Sequence, residues 1–409
     1  MKSSKVFIFV IAAAVILRLA FAIFRPNWQA PDEFPHFYYS SYLALENDLP
    51  DFNAQYPYYE SYQPPLYYFM SAILLKMAFH TTGRFTDTIE SLEVNGGFFP
   101  EMIFVRLFSV ILGVLAIVLS WSIFKETFTT NREHAKLAFL LLLFHPTFLS
   151  NTTSITNDAL AVCIGFLLLY FILDNSVLRR PFVVGITLAA GVLTKANMLL
   201  FIPVFIGVLA VAGRKDTGKI LPAFAKLLTP LILVPLISLL FFDLQTVKTW
   251  LFPPYSGTPE EISVFRVYQI FRNFFWSFWA AFGRIYEIHL PSLLYVILFF
   301  PVCVISLHGL ARTVFKREER PVESFYFNTY LLITGIFVVS SFFFSILFIS
   351  GTNTSWGKNI FPILPAVLFL FVFGLYKSIG NRAKIIILLI VLVCLLTDLW
   401  AISIHTGLL

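Results

Sequence analysis

Charge is scarce along this chain. Asp, Glu, Lys and Arg make up 13% of its 409 residues and hydrophobic residues 58%, against about 25% and roughly 45–50% in an ordinary soluble domain. A water-soluble globular protein is therefore excluded. Cysteine is almost missing as well: Cys163, Cys303 and Cys394 each lie inside an apolar run, so there is no disulfide framework and no redox compartment to read. No Gly/Ser linker, low-complexity tract, soluble appendage or short internal repeat interrupts the pattern, which leaves residues 1–409 as one membrane domain. Metal-type His and Cys/His spacings are lacking, and His80, His134 and His145 read as structural or solvated side chains. The net charge of +6 is dispersed over short loops, so nucleic acid is excluded as a partner.

Long apolar runs are what the chain does have. They cover 6–24, 99–124, 136–150, 158–173, 182–196, 197–213, 220–242, 290–310, 326–350, 359–376 and 385–405, most of them near the roughly 20 residues needed to cross a bilayer. The expectation is an all-α polytopic membrane protein of about 11–13 transmembrane helices with juxtamembrane helices at the outer face. Runs 136–150 and 182–196 are short. Lys2 and Lys5 before the first run imitate a signal peptide, but the run continues through Ile23-Phe24 and carries Arg18, so it reads as an uncleaved anchor. Loops 125–136, 174–181, 213–219, 311–320 and 376–384 are net basic and are assigned to the cytoplasm, whereas 25–63 sets six carboxylates against Arg25 and faces out. If loop 81–98 is also outside, run 64–80 must dip in and return or lie peripherally.

The outer loops hold most of the polar chemistry. Pro31-Asp32-Glu33-Phe34-Pro35-His36 is the densest group, with Pro31 at the first position of a helix. Phe34, Phe37, Tyr38, Tyr42 and Leu45 give that helix an apolar side for the interface. A helix dipole accounts for one acid. It accounts less well for Asp32 and His36 at i and i+4, with Glu60 and the Pro64-Pro65 corner following in the same loop, and function is favoured over capping. Arg106 and Lys195 lie in or between apolar runs, where a charge costs about 3 kcal/mol on insertion scales. Outer-loop carboxylates or a bound anion are their expected partners, with snorkelling as the alternative for Arg106. Asn157 and Asp158 open a helix, and capping is the simpler reading of both. Arg284 beside Gly283 has the fork that suits phosphate oxygens. Lys358 stands at the outer end of a helix, where cationic anchors are disfavoured, and Asp398 and His405 read as interface residues.

Taken in order, Pro31 to Phe37, Gln63-Pro64-Pro65-Leu66-Tyr67-Tyr68, Arg106-Leu107-Phe108-Ser109, Asn157-Asp158-Ala159-Leu160, Leu193-Thr194-Lys195, Ser277-Phe278-Trp279 with Phe282-Gly283, and Gly357-Lys358-Asn359-Ile360-Phe361-Pro362 resemble the GT-C superfamily of membrane glycosyltransferases. That group includes protein O-mannosyltransferases and lipid A aminoarabinose transferases, and the likeness runs over nearly the whole chain. It implies inverting transfer of a sugar from a polyprenyl-phosphate carrier to a glycan, lipid or protein acceptor, at the outer face of a bacterial-type cytoplasmic membrane. The catalytic carboxylate falls on Asp32 with Glu33 adjacent, and a second loop acid on Asp158. Gln63 stands where aminoarabinose transferases often carry lysine, and Lys358-Asn359 departs from the nearest branch's Gly-Arg-Tyr, keeping the charge without the fork.

The physical logic agrees. Asp32 would accept the proton of the attacking hydroxyl, and Lys195, Arg284 and Lys358 would stabilise a departing phosphate. His36, Glu60, Gln63, Arg106 and Asp158 complete the expected substrate site. Members of the superfamily differ in metal use, so the cofactor stays unknown, with a divalent ion on Asp32, Glu33, His36 or Asp158 as the candidate. A transporter or flippase for an anionic lipid or glycan is the main rival; it calls for midplane charges and two related halves, neither of which is seen. An inactive membrane scaffold is the third reading, and it has no use for Asp32.

Overall fold

The computed structural model describes residues 2–52, 58–83, 100–212, 217–251, 263–282, 288–316, 324–347 and 357–405. They are helical almost throughout, the exception being an antiparallel pair of two-residue strands, Ala281–Phe282 with Ile288–His289. Among the described residues seven helices are long and apolar enough to cross a membrane: Lys5–Phe24, Glu101–Thr127, Ile220–Ser238, Ser292–Phe315, Phe325–Ile346, Gly357–Ile379 and Arg382–His405. Asp158–Leu173, Pro181–Val192 and Ala196–Val211 are shorter apolar helices.

Two of the ambiguous runs resolve on local chemistry. Run 136–150 is two helices, Arg132–Leu143 and Pro146–Asn151, because Pro146 has no N–H to continue the first and suits the start of the second. Run 64–80 does not dip and return. It is one continuous helix, Leu66–Thr82, starting directly behind Pro64-Pro65 and ending at Gly83 with φ 75°. Phe69, Ile73 and Met77 form its exposed stripe, a one-sided pattern at i, i+4, i+8.

Much of the remaining surface is apolar, as lipid contact demands. In Ile220–Ser238, Leu221, Ile232 and Leu236 are all more than half exposed. The Val264–Trp279 helix exposes Val264, Phe265 and Tyr268 while burying Ile270, Ser277 and Phe278, the two-sided character of a helix lying in an interface. Asp398 corrects an expectation: it is fully buried, its two oxygens without a hydrogen-bond partner among the described residues.

Two close backbone approaches bring distant parts of the sequence to one place. The turn of 3₁₀ helix Gly357–Ile363 packs on Asp158–Leu173, where a Cβ at Gly165 would come 2.3 Å from the Pro362 carbonyl oxygen. On its other side a Cβ at Gly357 would come 2.4 Å from the Phe274 carbonyl oxygen, and the Gly357 N–H donates to Ser277 Oγ at 2.7 Å. Small residues permit such contact between apolar helices. The result is that Lys358 stands over the N-terminal end of Asp158–Leu173.

Candidate functional site

The site is built on the end of the first helix. That helix stops at Phe24, leaving its last carbonyls without helical partners. Arg106 meets one of them and the two carbonyls just beyond the helix: Nη1 donates to Ala22 O (3.3 Å) and Arg25 O (2.6 Å), and Nη2 to Pro26 O (3.0 Å). Its Nε and Nη2 hold the two oxygens of Glu33 at 2.9 and 2.8 Å. Glu33 also accepts from the Ile155 N–H at 3.3 Å. Burial is the largest influence and pulls the Glu33 carboxyl upward, but the charge and hydrogen bonds of Arg106, the charge of Arg25 and the Ile155 N–H together outweigh it and hold the group below the ordinary range.

This geometry corrects two expectations. All five N–H directions of Arg106 are in use, and the side chains of Arg106 and Glu33 are 2% and 0% exposed. Both groups are taken up by the protein's own contacts, so Glu33 stands as a structural anchor, unlike the catalytic partner of Asp32 expected for it. Arg25 extends the anchor to the 150–154 loop, donating to Ser154 Oγ (2.6 Å), Ser150 Oγ (3.3 Å) and Thr153 Oγ1 (3.4 Å).

Asp32 differs from its neighbour in every respect. The helix begins at Glu33, so Pro31 is not its first residue, and Asp32 at the cap position adopts a left-handed conformation, φ 57° and ψ 14°. A non-glycine residue held there costs of order 1–3 kcal/mol. Its side chain makes no capping bond. Instead Oδ1 accepts from the Tyr59 hydroxyl at 2.7 Å, and Oδ2 lies 3.7 Å from Lys358 Nζ. Lys358 Nζ is 3.4 Å from Asp158 Oδ2, and Lys195 pairs with Asp158 Oδ1. Tyr59, Asp32, Lys358, Asp158 and Lys195 thus form a continuous polar line. Asp32 is its most exposed charge at 33%; Asp158 is 6% exposed.

Lys195 reaches this line because the chain breaks there. It is extended, φ −158° and ψ 129°, between Pro181–Val192 and the helical turn Ala196–Leu200. The break is pinned by its carbonyls: Leu66 N–H donates to Leu193 O at 2.9 Å, and Asn157 Nδ2 to Thr194 O at 3.0 Å. Asn157 also donates to Gln63 Oε1 at 3.1 Å and makes no capping bond, contrary to its expected role. Gln63 in turn donates to Glu60 Oε2 at 2.9 Å. Burial first, and the charge of Asp32 second, push the Glu60 carboxyl up to about 8.

His36 is the third correction. Nδ1 lies 2.7 Å from the Tyr68 hydroxyl and Nε2 3.4 Å from Thr156 Oγ1. Burial lowers its pKa to about 4, so the ring is neutral and both nitrogens are engaged. Arg284 lies outside the described residues. Among those described, no three His, Cys, Asp or Glu side chains gather as a metal-ligand set. In this arrangement Asp32 and Asp158 face ammonium groups and Glu33 faces a guanidinium.

Tyr59 and Asn157 are the partners that sequence reasoning missed or assigned elsewhere. Nothing separates Tyr59 from the other sixteen tyrosines in one dimension, and Asn157 before Asp158 looks like an ordinary cap.

The helical membrane architecture of the chain is shared with solved membrane-protein structures. ArnT from Cupriavidus metallidurans bound to undecaprenyl phosphate aligns with a TM-score of 0.57 and 17% identity, over 94% of this chain and 62% of that one. The apo form of the same protein gives 0.56 and 18%, over 91% and 60%. The chain therefore spans about three fifths of the length of these structures. Residues 98–241, which contain Arg106, Asn157, Asp158 and Lys195, match the family described as dolichyl-phosphate-mannose-protein mannosyltransferase. No curated protein sequence matches.

Proposed function

We propose that the chain is an inverting glycosyltransferase that moves a sugar from a polyprenyl-phosphate carrier to an acceptor hydroxyl at the outer face of the membrane. The observation that carries this reading is Asp32: a carboxylate freed from capping, partly open, and set beside Lys358, which Asp158 links to Lys195. The acidic composition of 25–63 supports the outer face. The undecaprenyl phosphate of the ArnT complex supports a lipid-phosphate donor.

In the reaction Asp32 accepts the proton of the acceptor hydroxyl. The oxygen attacks the anomeric carbon from the face opposite the phosphate, and the carbon to phosphate-oxygen bond breaks with its electron pair leaving on the phosphate. Lys195 and Lys358 hold the charge that develops there, in a site where little water competes. Tyr59 orients Asp32, and Asn157 and Gln63 keep Lys195 and Glu60 in register.

Asp32→Asn tests the reading. With labelled polyprenyl-phosphate sugar and purified protein, transfer and polyprenyl phosphate release should fall by about 10²–10⁴-fold at unchanged protein abundance. Parental rates in the variant remove Asp32 as the base, and no release by the parent removes the enzyme.

A further inference from the structure

Asp158 takes no part in the proposed proton transfer or leaving-group chemistry, yet it lies at the centre of the charged line. Its two oxygens are divided between two lysines, Oδ1 to Lys195 and Oδ2 to Lys358. It is the most enclosed of the four charges, and it sits on the first residue of the Asp158–Leu173 helix, where the helix dipole favours an anion. A carboxylate whose oxygens each take a separate cation at a helix start has the donor pattern of a bound phosphate, whose non-bridging oxygens seek the same partners. The lysines it occupies are those the proposed reaction needs for the leaving group.

The charges also balance. Among the described residues Asp32 and Asp158 offset Lys195 and Lys358, so a phosphodiester that entered without displacing Asp158 would bring a second anion against the same two cations in an enclosed site, which is costly. The surroundings permit exchange without rebuilding. The backbone at Lys195 is pinned by Asn157 and Leu66, while the lysine side chain is not part of a helix. Lys358 is already shared between Asp158 and Asp32.

We propose that Asp158 is a built-in stand-in for the donor phosphate, holding Lys195 and Lys358 until a lipid-linked phosphate displaces it. The inference rests on the glycosyltransferase reading and deepens it. A competing internal anion sets a threshold: a small free phosphate lacks the apolar chain whose burial would help it displace the carboxylate, whereas a polyprenyl phosphate has that chain. Displacement also draws Lys358 away from Asp32, so the base loses its ammonium partner only when a donor is present. Asp158 is thus a positioning residue that acts through the two lysines.

Binding of undecaprenyl phosphate and of inorganic phosphate to purified full-length protein tests this without turnover. Asp158→Asn should tighten undecaprenyl phosphate binding by about tenfold, since a like charge beside the ligand is removed, and should render inorganic phosphate binding detectable where the parent shows none. A merely structural role would weaken both. A double-mutant comparison adds a readout that general loosening cannot imitate. Lys358→Met should weaken lipid binding more in the Asp158→Asn background than in the parent, because in the parent the lysine gives up Asp158 on binding. An equal or smaller effect in that background overturns the proposal, as does weaker binding by Asp158→Asn. If the parent transfers sugar and these signs fail, only the stand-in is lost; if the parent binds no undecaprenyl phosphate, the donor reading falls with it.

Discussion

At the scale of single residues, adjacent carboxylates hold unrelated posts. Glu33 has the reach to span from the helix start to Arg106, and Asp32, one bond shorter and turned by a left-handed backbone, looks the other way. Their order in the sequence marks an acidic helix start, but which acid is consumed by a buried guanidinium depends on a residue seventy-three positions later. Glu60 supplies a prediction at this scale. Its carboxyl has an ordinary value of 4.5 and is raised to about 8 in the fold. Between those pH values the folded protein binds one proton more than the unfolded chain at this group, so its contribution to stability falls as pH rises from 4.5 and levels off above about 8. Glu60→Gln keeps the shape and the bond to Gln63 without titrating. Thermal unfolding in detergent from pH 5 to about 8 should decline less steeply in the variant, and parallel profiles would show that Glu60 does not titrate in this window.

At the scale of elements, the site depends on where helices stop. Lys195 and Asp158 each stand at a helix boundary, and Lys358 in a tight 3₁₀ turn pressed between two helices. Gly357→Ala should therefore act on function through position: its Cβ would meet the Phe274 carbonyl and the Phe278 backbone, the latter at 2.5 Å, forcing the turn outward. Overpacking of this kind costs about 1–3 kcal/mol. The expected outcome is weaker undecaprenyl phosphate binding with a smaller loss of thermal stability; an unchanged affinity would mean that Lys358 does not depend on this contact. Boundaries were also where the sequence was least legible. The long apolar runs gave the helices from Glu101, Ile220 and Arg382 because periodicity is irrelevant when a helix is apolar all round. The break at Lys195 was legible too, since an ammonium between two apolar runs is costly unless the chain turns there to meet an anion. Asn157 was not, because a cap and a cross-link between loops use the same amide.

At the scale of the whole molecule, the site is a meeting of segments around 32, 60, 106, 158, 195 and 358, held by the buried Arg106–Glu33 pair, the two lysine pairs of Asp158 and two glycine contacts. The individual motifs were visible in the sequence; their contacts were not, since they arise from the packing of helices that look alike in one dimension. Arg106→Met should expose how much of the fold leans on that pair. It leaves Glu33 buried and unpaired, at a cost of about 3–5 kcal/mol, and removes the donors to three carbonyls. Lower thermal stability and a reduced folded yield in detergent are expected, and a variant as stable as the parent would show that water replaces the guanidinium.

The same arginine imposes an order on biogenesis. A ribosome delivers the first hydrophobic segment and Glu33 long before Arg106 emerges, so the newly inserted amino-terminal portion waits with loose carbonyl groups and an orphan acid. Pairing of the buried acid is thereby tied to arrival of the next long membrane segment, and a nascent chain cut short before that point has no guanidinium to neutralise Glu33.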